Sequence, residues 1–300
     1  MAINLATKYS PKLVSKMYRD SVILGKTSKK YDWDGVESVK VWTIKTYAPN
    51  NYKKPVTSGG GLNPANPANP STDSGSYLGR YGVTYEVEDT IQTMTLTQDK
   101  SVSLAVDKGN NTEQMLVKNA GVVVQHEIRE QFIPMFDKYC LAKWATEAGT
   151  TTVQASITKS NIVEEISNHI TALINAYTTT DNAYCYVGAT NYAKLVLSPE
   201  FLHVTGIDKN ADALQKGVVG SVRGLQIVQI PDSYLPEGVN FITVKSDCVL
   251  APTKFRDIKI HQDAPGLSGA LMEIRWLYDA FVLEAKNKGV IVCATSAPSN

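Results

Sequence analysis

Cysteine is scarce in this chain. Cys140, Cys185, Cys248 and Cys293 are the four in 300 residues, far apart and never in a C-x-x-C pair. That spacing suggests neither a zinc ligand set nor a redox dithiol, and the four read as reduced, buried small hydrophobes. Histidine is as sparse: His126, His169, His203 and His261 each stand alone in their segments. Without an H-E-x-x-H pattern no two of them share a helical face as metal ligands. His126 and His169 fall in helix-like segments and are expected at the surface or against a partner. No window approaches eighteen uninterrupted apolar residues. The first twenty residues carry Lys8, Lys12, Lys16 and Arg19 in place of a signal peptide's apolar core, so no membrane partner is expected.

Catalytic motifs fail one by one. Gly25-Lys26-Thr27 is short of a phosphate-binding loop, because Asp20 occupies the position of its leading glycine. Gly266-Leu267-Ser268-Gly269 resembles a nucleophile elbow but has Ala270 in place of the last glycine, and Pro265 before it favours an ordinary turn. Glu127 with Glu130, and Glu164 with Glu165, could be imagined as acid and base, but carboxylates on helices beside Arg and Lys are usually solvated or ion-paired. No catalytic residue, cofactor or metal is predicted.

The apolar content of 43% suffices for a substantial core. The net charge of +1 hides an asymmetry: residues 1–54 hold eleven Lys and Arg against four Asp and Glu. A basic arm therefore precedes a mildly acidic body, and it suits nucleic acid, the acidic surface of a neighbouring copy, or plain solvation.

The longest helix-like run, Asn111 to Gly149, organises the rest. Leu116, Ala120, Val123, Val124, Ile128 and Phe132 recur at three- and four-residue steps, with Asn111 or Thr112 as N-cap. Pro134 should end this helix or kink it sharply, and a second helix then carries Phe136, Cys140, Leu141, Trp144 and Ala145 along one stripe to Gly149. Together they make a spine.

Before the spine, Ser10-Pro11 opens a short helix. Glu37 to Tyr47 reads as a strand whose hairpin partner is the alternating run Tyr81 to Val87, and Ile91 to Leu96 and Val102 to Val106 supply two more. Between the hairpin strands lie Gly59-Gly60-Gly61 and the Asn-Pro steps at 63, 66 and 69. Such a connection supports neither helix nor strand and cannot bury enough apolar area by itself, so it should need a partner. After the spine, Ser160 caps a helix through Tyr177, Tyr184 to Val187 is a strand, and Thr190 caps a helix ending before Pro199. Gly224 to Ile230 and Asn240 to Val244 are strand-like, giving an α/β layer. Late strands at Ile258 to Ile260, Leu271 to Leu283 and Val290 to Cys293 should fold back beside the spine. In them Met272, Ile274, Trp276 and Tyr278 alternate against Glu273 and Arg275.

This order of parts resembles the major capsid proteins of tailed phages, the Hong Kong 97-like fold, over nearly the whole chain. Ser103-Leu104-Ala105-Val106-Asp107-Lys108 is similar to the segment that closes the family's extended loop. Ile133-Pro134-Met135-Phe136-Asp137-Lys138-Tyr139 is similar to the step after its spine helix. The run from Gly217 to Val228 looks like the glycine-rich turn and strand of its axial domain, and Tyr278-Asp279-Ala280-Phe281-Val282 like its late peripheral strand.

The resemblance implies an α+β fold with an N-terminal arm at 1–36, an extended loop at 37–97, a peripheral domain at 98–150 and 253–300, and an axial domain at 151–252. It further implies a structural protein, not an enzyme, whose partners are copies of itself in pentamers and hexamers around double-stranded DNA. Portal and decoration proteins would complete the particle. Because Met1 begins almost in the arm, scaffolding is expected as a separate protein. An encapsulin-type nanocompartment shell shares the fold but begins with a helix over the cargo side, and an α/β enzyme is the remote alternative. Candidate contacts between subunits are Tyr52, Lys53, Lys54, Tyr77, Arg80 and Tyr81. There, aromatic faces with polar tips can pack on a neighbour and basic groups can meet its acidic body.

Overall fold

Strands of two kinds build this chain: some alternate between buried and exposed side chains, and others are buried on both faces. In the computed structural model, which describes residues 20–31, 33, 38–49, 85–109, 120–198, 218–262 and 264–296, the chain divides into two compact units. One is Lys40–Thr93, and the other comprises Met1–Val39 and Met94–Asn300.

The smaller unit is built on a two-stranded ribbon, β1 (Ser38–Ile44) with β2 (Asp89–Thr95). Beyond the strand ends, the Lys45 amide donates to the Glu88 carbonyl at 3.0 Å and the Tyr47 hydroxyl to the Glu86 carbonyl at 3.1 Å. The Thr90 hydroxyl donates to the Thr43 carbonyl at 3.3 Å. Partner numbers fall on one strand as they rise on the other, so the ribbon is antiparallel. The strand paired with β1 is thus Asp89–Thr95, displaced from the expected Tyr81 to Val87, whose described part, from Tyr85, is not strand.

In the larger unit β3 (Gln98–Asp107), β10 (Thr253–His261) and β11 (Gly269–Tyr278) form an antiparallel sheet in the order β10-β11-β3. Along β11, Met272, Ile274, Trp276 and Tyr278 are buried while Glu273 and Arg275 are exposed, the alternation expected of a sheet with one wet face. The buried row lies against the spine. That helix consists of α1 (Ala120–Glu127), a π-helical turn (Ile128–Phe132) and α2 (Ile133–Thr146). Residues 110–119, with the expected N-cap, lie outside the described residues.

Pro134 neither ends the helix nor drives Ile133 out of helical angles: Ile133 has φ −63° and ψ −50°. The π turn explains this. The Ile133 amide reaches back five residues to the Ile128 carbonyl, and Pro134 falls in the first turn of α2, where its fixed φ and missing N–H cost little.

A six-stranded sheet has the order β4-β13-β8-β5-β7-β6, from β4 (Thr150–Val153), β13 (Val290–Ala294), β8 (Val239–Lys245), β5 (Ala183–Gly188), β7 (Leu225–Ile230) and β6 (Val218–Val222). It is mixed: β13 is parallel to β4, β5 is parallel to β7, and the other pairs are antiparallel. Both faces are covered. Tyr186, Val228, Ile242, Val244 and Val292 join the core around Phe136, Leu141 and Trp144 of α2. Cys185, Val187, Ile227, Phe241, Ile291 and Cys293 point the other way. That second face is covered by α3 (Ile162–Asn175) and α4 (Ala189–Val196). Hence β11 lies beside the spine as expected, and β13 does so too, as a strand of the six-stranded sheet whose Val290 and Val292 pack on α2. A two-stranded pair, β9 (Val249–Leu250) with β12 (Phe281–Val282), completes the described strands.

Two caps differ from expectation. The N-cap of α3 is Asn161, not Ser160, and the helix ends at Asn175. At α4 the N-cap is Gly188, and Thr190 sits inside the first turn, its amide and hydroxyl both donating to Asp232, at 3.1 and 2.6 Å. A carboxylate from 42 residues away thus satisfies the helix end that a local side chain was expected to serve.

Candidate assembly surfaces

Residues 20–31 and 33 are stitched into the larger unit. Asp137 on α2 is buried and accepts the Ser21 hydroxyl at 2.6 Å and the Val22 amide at 3.0 Å. Val22 and Ile23 then enter the core. Farther along, the Ser28 amide donates to the Val249 carbonyl, Lys30 pairs with Asp247, and Trp33 stacks on Phe281 with centroids 5.6 Å apart. The buried Lys26 ammonium lies over the Tyr184 ring. Residues 20–31 and 33 thus form a strap whose apolar contacts and buried hydrogen bonds fasten it to α2, β9 and β12.

A second clasp closes on Asp279, also buried. Its carboxylate accepts the amide and hydroxyl of Thr97, both at 2.8 Å, the Tyr139 hydroxyl at 2.8 Å and the Ala280 amide at 2.7 Å. Four donors hold this charge in the interior. Burial, reinforced by the hydrogen bond to Asp279, pushes the Tyr139 hydroxyl up to about 12. The result is a fixed junction of α2, the turn between β2 and β3, and the end of β11.

The ribbon presents the opposite character. Trp42 and Ile44 share one face of β1 and are each 63% exposed, and Ile91 on β2 is exposed as well. On the register set by Lys45 with Glu88 and Thr43 with Thr90, Trp42 stands opposite Ile91. Behind the strands Tyr47 and Tyr85 stack 4.4 Å apart, and Lys45 pairs with Glu88 at 2.6 Å. A two-stranded ribbon with its largest apolar groups in water is marginal by itself. The candidate contacts Tyr52, Lys53, Lys54, Tyr77, Arg80 and Tyr81 lie outside the described residues, as do the arm's Lys8, Lys12, Lys16 and Arg19.

The residues weighed for chemistry are accounted for otherwise. All four cysteines are buried and free, and burial raises each thiol, Cys185 to about 12 and Cys140 well above the usual value. Thiols so raised stay protonated and inert. His169 is fully buried, contrary to the surface position expected of it. Its Nε2 lies 2.9 Å from the Thr152 hydroxyl, its Nδ1 2.9 Å from the Thr243 hydroxyl, and its ring packs on Phe241. Burial lowers it to about 3, so it is neutral. The signal was present in the sequence: His169 falls three residues after Ile166 and four before Leu173, on the stripe that α3 turns to the sheet. His126 faces Glu130 and His261 faces Glu273, at 3.4 and 3.6 Å. His203 lies outside the described residues. The Ser268 carbonyl accepts the Lys108 amide in an ordinary turn. Among the described residues no group of three or more His, Cys, Asp or Glu could hold a metal, and no helix is long and apolar enough to cross a membrane.

No family model matches the sequence, and no curated protein does. Solved structures do match. The chain is similar to one from Mycobacterium phage Che8 at 15% identity, with a TM-score of 0.67 over 98% of this chain and 99% of that one. It is similar to the capsid of cyanophage P-SCSP1u at 12% identity, TM-score 0.68, over 97% and 93%. It matches the mature capsid of bacteriophage PhiM1 at 12% identity, TM-score 0.65, over 99% and 93%. With almost the full length matched in both directions, the mixed α+β fold is that of phage capsid structures.

Proposed function

We propose that this chain is a major capsid protein, a structural protein without turnover that assembles with copies of itself into an icosahedral shell around a double-stranded DNA phage genome. The observation that carries the reading is the near end-to-end likeness to phage capsid structures. The exposed apolar face of the ribbon supports it, since a neighbouring copy would give Trp42 and Ile44 cover.

On this reading residues 1–36 act as the arm, 37–97 as the extended loop, 98–150 with 253–300 as the peripheral domain, and 151–252 as the axial domain. The extended loop lies over an adjacent copy through Tyr52, Lys53, Lys54, Tyr77, Arg80 and Tyr81. Axial domains meet at five- and six-fold centres, so one chain makes pentamers and hexamers. The basic arm contacts packaged DNA or a neighbour without reading sequence. Scaffolding, portal and decoration proteins are separate partners, assembly takes place in the host cytoplasm, and the final location is the virion.

Electron microscopy and sedimentation of the full chain, expressed alone and with its neighbouring virion genes, test the reading. Shells or capsomers are expected, and a chain that stays monomeric under every assembly condition tried rejects it.

A further inference from the structure

The geometry points to a specific contact surface between copies of this chain: the end of the six-stranded sheet where α3 gives way to β5, with Tyr177 at its tip. This rests on the capsid reading and says which end of the sheet meets its neighbours. Three non-glycine residues among those described have positive φ, Tyr177 at 56°, Asn182 at 54° and Arg223 at 49°. All three stand at this one end. Tyr177 and Asn182 bracket the α3–β5 loop, and Arg223 begins the β6–β7 turn, whose Gly224 backs closely onto Thr180 of that loop. An aromatic residue in the left-handed region is strained and needs its surroundings to hold it there.

The surroundings do hold it. The Tyr177 amide donates to the Ile174 carbonyl at 2.9 Å and the Thr178 amide to the Leu173 carbonyl at 3.0 Å. From β8, the Lys245 ammonium donates to the Thr179 carbonyl and hydroxyl, both at 2.9 Å, and to the Asp181 carbonyl at 3.1 Å. The loop is therefore preorganised, and what the strain achieves is to place the Tyr177 side chain wholly in solvent, 101% exposed, one turn beyond Ile174 at 52%. Rigid display of a tyrosine with an aliphatic neighbour suits recognition, because little entropy remains to be lost on contact.

Charge selects a second copy as the occupant. Around a rotational axis the same end of every copy converges, so any net charge there is repeated and repels itself. Among the described residues near Tyr177, Asp181 and Arg223 are exposed and of opposite sign, Asp247, beside Asn182 through Ser246, is paired with Lys30, and the Lys245 ammonium is taken up by the loop's oxygens, so the charges here balance. Asp181 of one copy can meet Arg223 of the next. Among the described residues, the opposite end of the sheet gathers Glu164 and Glu165 at the start of α3, with Asp232 and Glu237 between β7 and β8, against Lys159. Copies brought together by that acidic end would repel.

The full chain with Tyr177→Gly, and with Asp181→Arg and Arg223→Asp singly and together, tests the surface by sedimentation velocity and thermal melting. Glycine accepts the positive φ without strain, so Tyr177→Gly should melt at or above the wild-type temperature while the concentration needed for assembly rises at least tenfold. Each single charge reversal should weaken assembly, and the double reversal should restore it. If Tyr177→Gly assembles as wild type does, the surface is wrong while the capsid reading stands. If it melts well below wild type, Tyr177 is an intramolecular packing residue and the proposal falls. A wild-type chain that never assembles overturns both.

Discussion

The Tyr139 hydroxyl donates to the Asp279 carboxylate at 2.8 Å, across 140 positions of sequence, in the same buried junction where Asp279 accepts both donors of Thr97. Removing the carboxylate leaves the Thr97 amide and the Tyr139 hydroxyl without their acceptor. Asp279→Ala should therefore cost about 3 kcal/mol, the range for stranded buried donors. It should also bring the Tyr139 ionisation part of the way down from about 12 toward the ordinary tyrosine value, because burial, the largest cause, remains while the hydrogen bond and charge of Asp279 are gone. Chemical denaturation and an ultraviolet tyrosine titration read the two effects. An unchanged midpoint together with an unchanged titration would show that the junction contributes nothing.

Acid should weaken the larger unit through His169. Its folded value is depressed to about 3 from an ordinary 6.5, so the stability tied to its neutral form is fully present above pH 6.5 and is lost as the pH falls toward 3. At about 1.4 kcal/mol per pKa unit, the whole window is worth about 5 kcal/mol. His169→Leu gives up the contacts to Thr152 and Thr243, so it should be less stable at pH 7, yet its stability should fall less steeply between pH 6.5 and 4. Equal slopes for the two proteins over that range, by urea denaturation at successive pH values, would exclude the histidine as the source.

Pro134 should be nearly neutral. A proline in a helix interior costs about 3 kcal/mol, but here it occupies the first turn of α2, after a π turn whose Ile133 amide already bonds to Ile128. Pro134→Ala should change stability by less than about 1 kcal/mol, within the range for substitutions that relieve no strain. A gain near the full interior cost would mean that the spine is strained at this point.

What the sequence disclosed follows from how local each cause is. The alternation of Met272, Ile274, Trp276 and Tyr278 reports a sheet with one wet face, so β11 and its inward row were legible residue by residue. The strand nature of β5 was legible too, but not its two covered faces, which depend on helices and a spine supplied by distant segments. The cap of α4 escaped because Asp232 is 42 residues away. The cap of α3 falls on Asn161 rather than Ser160 because it turns on a loop in which the Asn161 side chain accepts the Thr158 amide and donates to the Ser156 carbonyl. The partner of β1 was misplaced because the alternation at Tyr81 to Val87 is stronger than that of Asp89–Thr95, whereas the pairing observed extends the ladder through Lys45 and Glu88. The loop tyrosines Tyr52, Tyr77 and Tyr81 lie outside the described residues. The exposed Trp42 and Ile44 were not legible, since strand periodicity does not say which apolar face is covered.

Those two side chains yield the last prediction. Trp42 and Ile44 are each 63% exposed, and on the ribbon's register Trp42 faces Ile91, itself exposed. Truncating them removes little packing from their own unit, so Trp42→Ser and Ile44→Ser should leave the subunit's melting within about 0.5 kcal/mol of wild type, as for surface substitutions generally. If a neighbouring copy covers this face in the shell, an aromatic anchor of this kind is worth about 2 kcal/mol or more. The concentration required for assembly should then rise by more than about tenfold, since about 1.4 kcal/mol corresponds to a factor of ten. Ile44→Ser should have a smaller effect in the same direction. Light scattering during assembly, with melting curves of the unassembled subunit, separates the two contributions. A variant that melts earlier but assembles normally would place Trp42 in the ribbon's own packing, and one that does neither would leave this face in solvent in the particle.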